Sequence, residues 1–338
     1  MKSKDKLIWA AAGAGALWAL AAITKRVTAY SYKNKAVLIT GGVRGLGLVL
    51  ARQLADEGAR LVICSRNTEQ VRAAEAELRQ RGANVLGIVC DVTDPIQVEE
   101  LIYMTRERLG QIDVLINNAG VIQAAPVEEM TLQDFEETMK IHFWAPLYTI
   151  LQVMPHMKER GEGRIINISS IGGKISVPHM LPYNASKFAL TGLSEGMRAE
   201  LAKDGIVVTT VCPGLIRTGS PRNITVKGQH RKEYAWFKLS DSLPFLSMSA
   251  EKTAREILDA CRYGEAELVT TIPAKAAVLA HGLCPGTVAD ALSLVNRMLP
   301  GPGGIGKQQA KGFESKSEVS ESWLTEKTDE AAQKNNEL

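Results

Sequence analysis

Tyr183 and Lys187 stand four positions apart in YNASK, so a helix through them carries both side chains on one face. A phenol ordinarily titrates near ~10, too high for a base at neutral pH, but an adjacent ammonium favours the phenolate and lowers that value. With Lys187 beside it, Tyr183 can donate and accept a proton. Ser170 lies thirteen residues earlier, at the end of NISS, where a hydroxyl can hydrogen-bond a reacting oxygen and stabilise charge developing on it. These three residue types at this spacing predict proton transfer at a substrate oxygen.

A second group of residues suits a phosphate-bearing ligand. TGGVRGLG, Thr40 to Gly47, follows an apolar run and opens a helical stretch. Glycines there permit a tight turn and close backbone approach, and the helix N-terminus offers N–H donors and the positive end of its dipole. The G-x-x-x-G-x-G spacing alone also fits a glycine-rich turn without a ligand. The second apolar run ends in CSRN, with Ser65 where a carboxylate would meet a ribose 2′-hydroxyl, Arg66 next to it and Arg44 inside the glycine loop. Two guanidiniums suit a 2′-phosphate, which predicts NADP (NADPH) over NAD.

These residues need a scaffold that brings distant loops together. KAVLIT, ARLVICS, NVLGIVCDV, IDVLINNAG, GRIINISS and IVVTTVCPG are continuously apolar or β-branched runs separated by helical stretches. Such runs suit strands buried on both faces of a parallel sheet, which predicts a single α/β, Rossmann-type, doubly wound domain over residues 35–270. One helix is expected over Leu132 to Met157, and another enters at Pro182 and stops at Gly205.

Taken together, the glycine loop, NNAG at Asn117 to Gly120, Ser170, YNASK and PGLIRT at Pro213 to Thr218 resemble the short-chain dehydrogenase/reductase family over about residues 35–270. The resemblance implies hydride exchange between a nicotinamide and an alcohol or carbonyl, with Ser170, Tyr183 and Lys187 as the catalytic set. It assigns to the cofactor Gly41, Arg44, Gly45, Leu46, Gly47, Arg66, Asp91, Val92, Asn118, Ala119, Gly120, Pro213, Gly214, Ile216 and Thr218, with Tyr183 and Lys187 also in contact, and makes Asn117 structural. It further implies a homodimer or homotetramer. The chain departs from the family at IHFWA: His142 stands where an asparagine usually helps a proton relay, with Ala145 for the usual glycine. An imidazole can replace the amide in hydrogen bonding and also titrates near neutrality, so His142 is either a relay residue or an inert core histidine.

The remainder of the 338 residues sets limits. A net charge of +3 without a basic stripe argues against nucleic acid. Cys64, Cys90, Cys212, Cys261 and Cys284 show neither CxxC pairing nor zinc spacing, so no disulfide framework or metal is expected and a reducing compartment is. Leu7 to Thr24 is an uncharged run flanked by lysines, Lys25 and Arg26, long enough for about 27 Å of helix. Residues 1–34 therefore read as a single-pass membrane anchor and linker, with the catalytic domain on the cytoplasmic side where the cofactor is kept; a cleaved signal or an interfacial helix are the alternatives. Residues 271–300 form an apolar helical segment that could pack on the domain, cover the substrate mouth or rest on a membrane surface. Residues 301–338, after PGPGGIG, read as a polar, disordered tail. The resulting expectation is an NADP-dependent CH–OH oxidoreductase acting at a membrane on a lipophilic steroid, retinoid or acyl-chain substrate, the stretch 222–245 forming its lid. The alternative is a non-enzymatic NADP-binding sensor or scaffold.

Overall fold

The computed structural model describes residues 29–243, 246–321 and 325–337. Seven strands form a wholly parallel sheet: β1 (Ala36–Thr40), β2 (Arg60–Ser65), β3 (Asn84–Val89), β4 (Val114–Asn117), β5 (Gly163–Ile168), β6 (Ile206–Cys212) and β7 (Glu267–Val269). Their order is β7-β6-β5-β4-β1-β2-β3, so the chain reverses direction across the sheet between β1 and β4. Ligand crevices of doubly wound folds open at that switch point, beyond the carboxyl ends of the strands. Every residue of β1 is buried: Val37 and Ile39 belong to one apolar cluster, Ala36 and Leu38 to the other. A period of two with both faces apolar explains the unbroken Val and Ile runs.

The helices α1 (Gly45–Asp56), α2 (Thr68–Gln80), α3 (Pro95–Leu109), α4 (Leu132–Met139), α5 (Ala145–Arg160), α6 (Leu181–Leu201), α7 (His230–Ser242) and α8 (Ala250–Arg262) connect and cover the strands or cap the site. The single helix expected over 132–157 is instead interrupted by a π-turn at Lys140–Trp144. Pro146 accounts for the interruption, because it has no N–H for the carbonyl of His142 and its ring would crowd that oxygen. The bulge turns His142 into the interior, where it is 1% exposed.

Two expectations change beyond residue 270. Helices α9 (Ile272–Leu283) and α10 (Pro285–Asn296) form a hairpin that leaves Ile272 83% and Leu283 72% exposed, with Met298 just beyond it 82% exposed, so of the three placements open to this apolar segment, packing on the domain is confined to Ala274. The segment expected to be disordered is built into the fold. Ala310–Lys311 pairs antiparallel with Thr225–Val226, and α11 (Glu326–Lys334) packs near α7. Polar contacts replace the missing apolar ones: Lys238 Nζ, itself 1% exposed, lies 2.9 Å from Asp329 and 3.2 Å from Glu321, and Ser242 shares a 2.7 Å hydrogen bond with Thr328.

The expected membrane location also requires correction. Among the described residues no helix is long and apolar enough to cross a membrane, and the run 7–24 lies outside them.

Candidate active site

The glycine loop is shaped by steric necessity. Gly41 and Gly45 have φ of +63° and +53°, a region costly for other residues. A Cβ on Gly47 would stand 2.2 Å from the Gly41 carbonyl oxygen. Asn118 closes the turn by donating from Nδ2 to the carbonyls of Thr40 and Gly41 at 3.1 and 3.0 Å, while its own N–H donates to Thr40 Oγ1. The cradle at the N-terminus of α1 is therefore preformed and fits a pyrophosphate.

Burial lowers the Arg44 pKa and the nearby Arg66 charge lowers it further, with Glu337 opposing both. Arg66 is largely exposed and lies 3.7 Å from Asp91. Asp91 also accepts from the N–H and hydroxyl of Thr93, which fixes the turn before α3, and Val92 beside it is buried. Pro213 accepts from the N–H of Ile171, Gly214 donates to Thr270, and Ile216 and Thr218 continue the loop after β6. That loop faces the glycine loop across the switch point; Arg44 Nη1 donates to Asn223 Oδ1 across the gap at 2.9 Å.

Ser170 lies two residues beyond β5, at the N-cap of the turn Ile171–Gly173, and accepts from the Gly172 N–H, so its hydroxyl is held at the mouth of the sheet. Tyr183 and Lys187 project from the first turns of α6, with Lys187 Nζ 5.7 Å from the tyrosine ring centroid. Burial pushes the Tyr183 phenol up to about 12, opposed by a hydrogen bond from Ser170. Burial likewise draws the Lys187 ammonium down to about 7, with Cys212 opposing it. The expected lowering of the tyrosine pKa by its neighbour is thus not what this arrangement does: Lys187 Nζ donates instead to the Ile168 carbonyl at 2.8 Å. A phenol that retains its proton at neutral pH is equipped to donate it.

Both ring nitrogens of His142 are engaged. Nε2 accepts from the Val121 N–H at 3.1 Å, so the proton resides on Nδ1, which donates to Ser186 Oγ at 2.8 Å. Ser186 in turn donates to the carbonyl of Tyr183, and the two rings meet edge to face at 5.4 Å. Burial first, and the Lys187 charge second, hold the imidazole well below its ordinary range, which corrects the expectation that it titrates near neutrality. His142 ties the loop after NNAG to the backbone of the tyrosine, while Lys187 Nζ donates to the Ile168 carbonyl and acts on the imidazole through its charge.

The sequence reading missed the buried polar chain behind the site. Thr149 donates to Asn117, Asn117 to Asn167, Asn167 to Ser194, and Thr210 also donates to Ser194, all within 3.0 Å, so β4, β5, β6 and α6 are locked in register. An asparagine inside the apolar run GRIINI was the available signal. Also missed was Glu233, fully buried, which accepts from His179 Nδ1 at 2.8 Å and Trp236 Nε1 at 2.7 Å and fastens α7 to the loop before Tyr183.

Residues 35–227 match the family described as short chain dehydrogenase. The chain belongs to that family. It is similar to the rat protein named dehydrogenase/reductase SDR family member 4, at 38% identity over 55% of this chain and 67% of that one. Among solved structures it resembles a gluconate 5-dehydrogenase from Burkholderia cenocepacia in complex with NADP and tartrate (TM-score 0.66, 28% identity, 74% of this chain and 99% of that one). It also resembles the L-sorbose reductase of Gluconobacter frateurii complexed with NADPH and L-sorbose (TM-score 0.64, 26% identity, 71% and 96%). This short-chain dehydrogenase is accordingly an oxidoreductase of a nicotinamide-dependent family, with a small-molecule substrate.

Proposed function

We propose that the chain is an NADP(H)-dependent carbonyl reductase or alcohol dehydrogenase acting on an apolar substrate. The convergence of Ser170, Tyr183 and Lys187 at the carboxyl ends of β5 and β6 carries this reading. The nicotinamide, when bound, supplies or accepts the hydride. Tyr183 moves the proton at the substrate oxygen, Ser170 hydrogen-bonds that oxygen, and Lys187, its ammonium weakened by burial and donating to the Ile168 carbonyl, orders the polar groups beneath the tyrosine. His142 positions Tyr183 through Ser186.

Gly41, Gly45, Leu46 and Gly47 would hold the pyrophosphate, Asn118 to Gly120 and Pro213 to Thr218 the nicotinamide half, and Asp91 and Val92 the adenine. Arg44 and Arg66 favour the 2′-phosphate, with no carboxylate at Ser65 to oppose it. An apolar substrate is supported by the partly buried Ile122 and Trp236, which with Tyr183 pack on the buried cluster of Met180, Ile224, Tyr234 and Phe237. Exposed Trp144, Leu151 and Phe188 on the π-turn, α5 and α6 suit self-association.

The test is turnover of a panel of apolar ketones with NADPH and NADH, alongside cofactor titration. NADPH should bind more tightly than NADH. Tyr183→Phe should lower turnover by about 10³-fold, within the range of a lost acid–base group, with NADPH binding retained. Activity within a few-fold of the parent would place the acid elsewhere, and turnover absent from every ketone despite firm NADPH binding would favour a nucleotide sensor.

A further inference from the structure

The segment beyond residue 324 does more than cover α7. Its last described residues enter the cleft between the glycine loop and the loop after β6. The Gly45 N–H, one of the α1 N-terminal donors suited to a phosphate, donates to the Asn335 carbonyl at 2.9 Å. Asn336 Nδ2 donates to the Val43 carbonyl at 3.0 Å, and Arg52, on α1, holds Asn335 Oδ1 and the Lys334 carbonyl, each at 2.9 Å. The Glu337 carboxylate accepts from the Gly219 N–H on the opposite wall. A Cβ on Gly45 would meet Glu337 Oε1 at 3.0 Å, so the carboxylate lies directly against the glycine of the cradle. Asn335 and Glu337 are 1% and 4% exposed, and Arg44 attracts the Glu337 charge.

An anion at the positive end of α1, between a backbone N–H and a guanidinium, uses the same chemistry that would hold a phosphate. A cofactor phosphate and this segment would compete for the Gly45 N–H and for the space in front of it. We propose that residues 325–337 are an autoinhibitory strap, with Glu337 occupying the phosphate position of the dinucleotide cleft, so that the cofactor binds only when the strap withdraws. This rests on the cofactor reading above.

The strap is built to let go. Ala332 is its sole buried apolar residue among those described; the rest of its hold is hydrogen bonds and ion pairs. Segments held in this way open at low free energy. Burial raises the Glu337 carboxyl to about 7 against the pull of the Gly219 N–H and of Arg44. It also lies close enough to the buried Asp241 to raise that carboxyl further, and Asp241 Oδ2 has no hydrogen-bond partner among the described residues. Residues 310–311, paired with Thr225–Val226, can remain in place as the tether while the strap leaves.

The experiment compares three full-length proteins: the parent, Glu337→Lys and Asp329→Lys. The second variant breaks the Lys238 anchor, away from the cleft, and so loosens the strap without altering any cofactor contact. NADPH and NADH affinities are read by nucleotide fluorescence, hydrogen exchange of residues 326–337 is read with and without NADPH, and folding is checked by thermal unfolding. Both variants should bind NADPH about tenfold or more tightly than the parent, since a self-occupied site weakens apparent affinity by its competent fraction. In the parent, NADPH should speed exchange of the strap. Equal or weaker binding by Asp329→Lys, with the strap still protected at saturating NADPH, would overturn the proposal and make the segment a lid over the cofactor. If none of the three folded proteins binds either nucleotide, the cofactor reading falls and the strap proposal falls with it.

Discussion

The sheet and the strap meet at the same glycine loop but are held by different forces. In the sheet, apolar clusters on both faces set the strands, and the Thr149, Asn117, Asn167, Ser194 and Thr210 chain leaves few polar groups unpaired behind the site. The strap buries one alanine and relies on charged and amide contacts. Apolar burial across two sheet faces is costly to undo, whereas the strap adds almost none, and its ion pairs from Lys238 end on the half-exposed Asp329 and Glu321, where solvent screens them. The difference teaches that one surface of the cofactor cleft is permanent and the other conditional.

The permanence of the sheet is most severely tested by Asn167→Leu. It strands Asn117 Nδ2 in the interior and takes from Ser194 one of its two donors, Thr210 remaining, and should lower unfolding free energy by about 3 kcal/mol in denaturant titration. A loss below about 1 kcal/mol would mean the polar chain is not what locks β4 to β5.

Lys187→Met sharpens the same side of the comparison through pH. Native Lys187 titrates at about 7 against an ordinary 10.5, so between those values the unfolded chain binds more protons and stability should rise with pH. Below about pH 7 both states are protonated and the buried charge is fully penalised. The methionine variant should therefore melt higher than the parent at pH 6, by an amount on the order of a few kcal/mol in unfolding free energy. Its advantage should fade toward pH 10. Parallel stability curves for the two proteins would refute it.

At His142 a smaller effect is expected. His142→Leu removes the acceptor of the Val121 N–H and the partner of Ser186, a loss of about 1 to 2 kcal/mol, and should slow turnover through misplacement of Tyr183. Because burial holds the ring neutral, the parent's pH profile should carry no histidine step between pH 6 and 8. A step there that vanishes in the leucine variant would restore the relay role.

The smallest effect belongs to the strap. Thr328→Ala removes its hydrogen bond to Ser242 and should shift global unfolding by less than about 0.5 kcal/mol, while strap hydrogen exchange accelerates. A large global loss would show the strap to be as integral as the sheet.

The doubly wound sheet and the shape of the glycine loop were legible in the sequence because both rest on local chemistry, continuous apolar runs and glycines at obligatory turns, and the i, i+4 spacing likewise put Tyr183 and Lys187 on one helix. What His142 does could not be read from its neighbours. Its tautomer depends on Val121 and Ser186, 21 and 44 residues away, and its burial follows from a π-turn set by Pro146. Residues 301–338 lack apolar periodicity and read as disorder, yet much of this segment is ordered by partners far along the chain: Arg52, Gly219, Lys238 and Ser242. A polar segment carries no inward-facing pattern of its own, so whether it folds depends on complementary donors and charges that only the tertiary structure brings within reach.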